Sequence, residues 1–191
     1  MPSTDSVRGL ILPGVALAGS LARRSEIENE VVNLFDQFRD SILRYTLSYG
    51  LSVHDGEEVT QEVYLALFRH LQQGKPRQNL RGWIFRVAHN LALKQRQANN
   101  HGQERLNLNG TVAENQFDPS PSPEEQVLRA QRQKRLVAVL QALPEQDRCC
   151  LVLRAEGLRY REIAHVLNLS LGAVSLSLTR SLARLMCADQ R

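Results

Sequence analysis

Residues 157–185 read GLRYREIAHVLNLSLGAVSLSLTRSLARL, and the fold is decided there. Tyr160, Ile163, Ala164 and Leu167 recur at three- and four-residue steps, the period of a helix with one apolar face. Leu171, Val174, Leu178, Leu182 and Leu185 repeat that spacing further on. Between them stand only Asn168, Leu169 and Ser170, enough for a tight turn. Asn168 tolerates left-handed backbone. The Ser170 hydroxyl can accept from the free amides that open the next helix. Ala164 is small enough for a close crossing, and Val174 is placed to fill the angle between the helices. Such a pair is a helix-turn-helix, a unit that lays its second helix in the DNA major groove. An ordinary core-packed helical pair is the other reading of this stretch.

The chain has 191 residues, room for one large domain or two small ones. Its hydrophobic content of 42% supports globular cores. Aromatic residues make up 5%, too few for single-strand binding by many stacked rings. A net charge of +4 leans towards a polyanionic partner. Three cysteines, Cys149, Cys150 and Cys187, do not suggest a disulfide framework and point to a reducing compartment. No apolar run is long enough to span a membrane.

Upstream, residues 1–24 read as a flexible extension. Pro13, Gly14, Asp5 and the trailing Arg23-Arg24 argue against a secretory signal. A helix is expected from Glu26 to Tyr49, opened by a Ser25/Glu28 capping box and closed by Gly50. Its stripe is Ile27, Val31, Leu34, Phe35, Phe38, Ile42 and Tyr45. A second, Gly56 to Gln73, starts at an Asp55/Glu58 box and faces Val59, Val63, Ala66, Leu67 and Leu71 inward. Its outer face presents Glu57, Glu58, Gln61, Glu62, Tyr64 and Leu65. A third, Leu80 to Gln97, carries Ile84, Val87, Ala88 and Leu91, with Trp83 reading as core.

Residues 98–121 are rich in Asn, Gln, Gly, Ser and Pro without a period, which reads as a flexible linker. The fold expected is therefore all-α, with two helical domains, 25–97 and 122–188, the second ending in the helix-turn-helix. Ser122-Pro123-Glu124-Glu125 restarts helical order. Helix four carries Val127, Leu136, Val139, Leu140 and Leu143. Helix five follows Pro144, with Cys150 in the core and Cys149 half exposed.

Three segments then carry a resemblance. They are Asp55-Gly56-Glu57-Glu58-Val59-Thr60-Gln61-Glu62-Val63-Tyr64-Leu65, then Gly82-Trp83-Ile84-Phe85-Arg86-Val87-Ala88-His89-Asn90. The third is Leu143-Pro144-Glu145-Gln146-Asp147-Arg148 with Gly157 to Ala164 and Leu171 to Val174. In this order and spacing the chain resembles bacterial RNA polymerase sigma factors of the extracytoplasmic-function group. The resemblance implies a dissociable specificity subunit without enzymatic activity, acting in the cytoplasm. It would bind core RNA polymerase, direct it to promoter DNA and assist melting.

By the same resemblance Glu58, Gln61, Glu62 and Leu65 meet the polymerase. Arg77, Asn79, Arg81, Arg86, Asn90, Lys94 and Arg96 take the unpaired minus-ten strand. Arg159, Gly172, Ala173, Ser175, Leu176, Ser177, Thr179, Arg180 and Arg184 take the duplex minus-thirty-five element. Gln97-Ala98-Asn99-Asn100 replaces a run of arginines common in the group, and serines replace basic residues at 175 and 177. An anti-sigma protein is a candidate further partner. Two alternatives remain: a helix-turn-helix regulator acting without polymerase, and a protein-interaction module. No catalytic residues, metal ligands or cofactor motif stand out; the adjacent cysteines would point about 100° apart on a helix.

Overall fold

A computed structural model of the chain describes residues 13–103 and 123–189, and side chains over 23–99 and 131–188. The described residues form seven helices and no strand. These are α1 (Pro13–Ser48), α2 (Val53–Gln72), α3 (Leu80–Gln103), α4 (Pro123–Ala142), α5 (Glu145–Ala155), α6 (Tyr160–Leu167) and α7 (Leu171–Asp189). The expectations for residues 1–12 and 104–122 lie outside the described residues, as does the side chain of Val127.

α1 starts earlier than its sequence suggests. Its backbone is helical from Pro13, so Ser25 lies inside the helix rather than at its mouth. Glu28 accepts from Arg24 Nε at 3.0 Å, an i,i+4 pair, instead of closing a capping box. The Ala- and Leu-rich residues upstream are good helix formers, and nothing at Ser25 breaks the run. α3 likewise continues to Gln103, taking residues 98–103 from the expected linker.

α2 is capped one turn before the expected place. Ser52 Oγ accepts from the Asp55 amide at 3.1 Å, and its hydroxyl donates to Asp55 Oδ2 at 2.7 Å. The Asp55 carboxylate also accepts from Gln95 Nε2 (3.1 Å) and Asn99 Nδ2 (3.0 Å), tying the start of α2 to α3. Burial pushes this carboxyl up, but those hydrogen bonds outweigh it and hold the group below its ordinary value. Gly56 marks the α1–α2 crossing. A Cβ there would stand 2.7 Å from Thr46 Oγ1 and 2.9 Å from Leu43 Cδ1, so only glycine allows this approach.

The helix-turn-helix forms as its sequence indicates. Asn168 is left-handed (φ 54°, ψ 45°), and the Leu169 amide donates to the Ala164 carbonyl at 2.9 Å. Ser170 Oγ accepts from the Ala173 amide at 3.1 Å. Val174 is fully buried, and α6 and α7 meet at 105°. The inward stripe of α7 differs from the expected one. Val174, Ser177, Leu178 and Ser181 are buried, whereas Leu171 and Leu182 are about half exposed. The stripe is narrow because α5 and α4 approach along one line, and small serines fit that line better than Leu182.

The two helical groups, α1–α3 and α4–α7, share one contiguous core. Tyr45, Phe85, Ile42 and Leu67 fill the first group; Leu153, Leu158, Ile163 and Leu178 fill the second. α1 meets α5, and α3 meets α6. Cys149 lies in this seam and is 2% exposed, not half exposed. Its burial comes from α1, a partner that local sequence does not reveal. Desolvation there pushes its thiol up to about 11.

Candidate nucleic-acid interface

On α2, residues 58, 61, 62 and 65 follow helical spacing and form one stripe. Glu58, Gln61, Glu62 and Leu65 are all exposed, as is Glu57. Leu65 is 55% exposed, an apolar side chain set among acids with no core role. Tyr64 does not join them. It is turned inward, its hydroxyl donating to the Leu34 carbonyl at 3.0 Å and its ring edge-on to Phe35 at 4.9 Å. The reason is its place between Thr60, Leu67 and Leu71 on the buried side of the helix.

α3 and its preceding loop carry the basic face. Asn79, with φ 53°, caps α3: its Oδ1 accepts from the Gly82 amide at 3.1 Å. Its side-chain oxygen is thus occupied by structure. Arg77 pairs with Glu30 at 3.0 Å. Asn90 and Lys94 stand exposed on the outer side. Trp83 is half buried and lies against His70, 4.6 Å between ring centroids.

The remaining arginines of this face turn towards the second group. Arg81 stands over the Phe38 ring at 5.7 Å and donates through Nη2 to the Glu156 carbonyl. Arg86 Nη1 meets His165 Nε2 at 2.5 Å. Arg96 pairs with Glu145 at 2.5 Å and lies over the Tyr49 ring at 5.1 Å. Tyr45 and His89 share a 2.7 Å hydrogen bond behind them. Burial pulls the His89 imidazole below its ordinary value, and burial beside Glu145 pushes Tyr49 up to about 12.

Two clefts open along this seam. One, about 770 Å³, is lined by Asn79, Arg81, Gly157 and residues 159–162. The other, about 400 Å³, runs between Asn90, Arg86, Trp83 and His165.

On α7, Gly172, Ser175, Leu176, Thr179, Arg180 and Arg184 face outward, and Ala173 is half buried. Ser177 does not face outward. It is fully buried and donates to Asp147 Oδ1, so it is removed from any duplex-reading surface. Ser177 shares the inward line with Val174, Leu178 and Ser181, and a carboxylate waits beneath it. Arg180 Nη2 reaches the same Asp147 Oδ1 at 3.0 Å while its side chain stays half exposed. Asp147, 1% exposed, is the partner of both α7 side chains, a contact that sequence reading does not assign. Its one legible signal is its place three beyond Pro144, in the first turn of a helix. Arg159 is exposed at the mouth of α6, where its amide donates to Glu162 at 2.7 Å.

Among the described residues no cluster of His, Cys, Asp or Glu could hold a metal. Among the described residues no single helix is long and apolar enough to cross a membrane.

Comparison with known proteins matches residues 34–101 to Sigma-70 region 2 and residues 133–185 to Sigma-70, region 4. The RNA polymerase sigma factor CnrH of Cupriavidus metallidurans is 32% identical over 149 residues, covering 72% of this chain and 75% of that protein. The ECF RNA polymerase sigma factor SigE of Mycolicibacterium smegmatis is 33% identical over 133 residues, covering 68% of this chain and 51% of that protein. The chain spans between 36% and 61% of the length of the first curated relatives it matches. Among solved structures, the sigma factor RpoE in complex with the anti-sigma factor NepR from Bartonella quintana superposes with a TM-score of 0.66 at 14% identity, covering 86% of this chain and 97% of that one. CnrH in complex with the cytosolic domain of CnrY gives 0.56 at 21% identity, covering 87% and 92%. At such identities the likeness concerns the fold.

Proposed function

The chain belongs to the sigma-70 family of RNA polymerase sigma factors, in its extracytoplasmic-function group, and from that premise we propose that it is a transcription initiation factor of the cytoplasm. It binds core RNA polymerase through the α2 stripe of Glu58, Gln61, Glu62 and Leu65. It takes the unpaired minus-ten strand on α3, with Arg86, Asn90, Lys94 and Arg96 as phosphate and base contacts. It meets the minus-thirty-five duplex with α7. The observation that carries this reading is the pairing, in one chain, of a helix-turn-helix with a separate arginine-rich helix on which Asn90 and Lys94 stand exposed. A regulator acting on duplex DNA alone has no use for the second. An anti-sigma protein is a proposed further partner, since RpoE, which shares the fold, is solved in complex with the anti-sigma factor NepR.

Within this reading Arg180 is the long cation of α7 that reaches base edges. Asp147 holds its guanidinium at 3.0 Å and so limits the rotamers lost on binding. A bidentate arginine–guanine contact is worth roughly 1–3 kcal/mol. Arg180→Ala is therefore expected to lower transcription from the cognate promoter at least about fivefold, with the domain still helical but less stable, since buried Asp147 loses its charged partner. Run-off transcription with core polymerase measures it. Full-rate transcription by the variant would remove Arg180 from the reading helix.

A further inference from the structure

The first half of α7, residues 171–179, reads LGAVSLSLT and holds no charged or amide side chain. Its side-chain hydrogen bonding rests on three hydroxyls, those of Ser175, Ser177 and Thr179, and two are committed. Ser177 donates to Asp147 in the core, and Thr179 Oγ1 donates to the Ser175 carbonyl at 3.0 Å. The exposed Ser175 hydroxyl remains, and serine pairs with base donors and acceptors alike, so it discriminates little. What the outer face offers instead is carbon. Leu176 is 57% exposed and Leu171 is 48% exposed. Thr179, its hydroxyl turned back onto the helix, has a methyl group left to present. Gly172 stands one turn before Leu176. A side chain there would meet open space, with Ser170 Oγ nearest at 4.0 Å, so the fold does not require glycine at this position. Its effect is to let the start of the helix come close to whatever Leu176 touches.

Resting on the proposed role of α7 as the duplex-reading helix, we infer that this chain selects thymine in its duplex element by apolar contact between Leu176 and the thymine C5-methyl group. In the major groove that methyl distinguishes T·A from C·G, and it is the one base-edge feature that an apolar side chain can read. The N-terminal turns of a recognition helix are the ones that reach base edges, and Leu176 is the sixth residue of α7. Packing an exposed leucine against a methyl removes apolar surface of both from water, which favours the contact without any hydrogen bond. Cytosine at that place offers Leu176 no methyl, and its amino donor would lose water against a side chain that cannot accept from it. Arg180, four residues further on and held at 3.0 Å by Asp147, supplies the charged contact beside this apolar one. Specificity on this helix is thus divided between one methyl-reading leucine and one tethered arginine.

The test uses the full chain together with core RNA polymerase. Bound sequences are selected from a pool of DNA duplexes randomised over the minus-thirty-five segment. Each thymine of the selected segment is then replaced singly by deoxyuridine, which removes the methyl and leaves every hydrogen-bonding edge unchanged. Fluorescence anisotropy measures the affinity. One such replacement is expected to weaken binding by the parent about fourfold, the effect of leaving one carbon unburied. Leu176→Ala, which alters a side chain outside the core, should bind the thymine duplex more weakly and be indifferent to that same replacement. A deoxyuridine penalty of equal size in parent and variant would overturn the inference, because the two groups would then act independently. So would a selected segment in which the parent tolerates the exchange at every thymine. Either result leaves the polymerase role standing. Failure to select any duplex with polymerase present is a different outcome: α7 is then no reading helix, and the inference falls together with the proposed function.

Discussion

Changing Glu62 to Arg and Leu65 to Ala together is expected to abolish association with core RNA polymerase while leaving the fold intact. Both side chains are exposed and lie three residues apart on one stripe of α2, outside the core. Leu65, 55% exposed, is the apolar anchor of that stripe. Truncating an interface anchor costs about 2 kcal/mol or more, and reversing a charge adds repulsion where attraction stood. Together they amount to at least about a hundredfold loss of affinity. Circular dichroism should give an unchanged helical spectrum and melting curve. Capture on immobilised core polymerase should fail. Undiminished capture would remove α2 from the interface.

The second large effect is on stability. Phe85→Ala should destabilise the protein by about 3–5 kcal/mol. Phe85 is fully buried and meets Tyr45 edge-on at 6.2 Å and Phe38 edge-on at 6.4 Å, where α1 crosses α3. Losing the ring leaves a cavity that Tyr45 cannot collapse into, because its hydroxyl is bonded to His89 at 2.7 Å. A domain of this size is stable by only about 5–15 kcal/mol, so the loss takes a large share of the total. Urea denaturation should show a much lower midpoint. Phe85→Leu, which keeps most of the volume, should cost far less. A loss below about 1 kcal/mol for the alanine variant would contradict this account of the core.

What could be read from the sequence divides along a physical line. The helix-turn-helix was legible because Ala164, Asn168 and Val174 are demanded by local backbone geometry, and all three sit as expected. Helical existence was legible from periodicity, while starts were not. Ser25 looked like a cap but lies inside α1, and Asp55 looked like a cap while Ser52 performs that role. Polar residues inside a buried stripe misled in a consistent way. Ser177 and the Tyr64 hydroxyl were placed outside by their chemistry, yet each faces a partner of its own: Asp147 and the Leu34 carbonyl. Least legible was the seam. Arg44 and Glu156 lie 112 positions apart, and no periodicity links them. Hence Cys149 was expected half exposed, and the α3 arginines were expected open rather than engaged.

Co-elution of the purified full chain with core RNA polymerase on size exclusion, followed by run-off transcription from promoter-containing DNA, decides whether this helical chain works as a polymerase subunit. The proposed function predicts a stoichiometric complex and a discrete transcript that core polymerase alone does not make. Separate elution across the salt range, with no transcript beyond background, would contradict it.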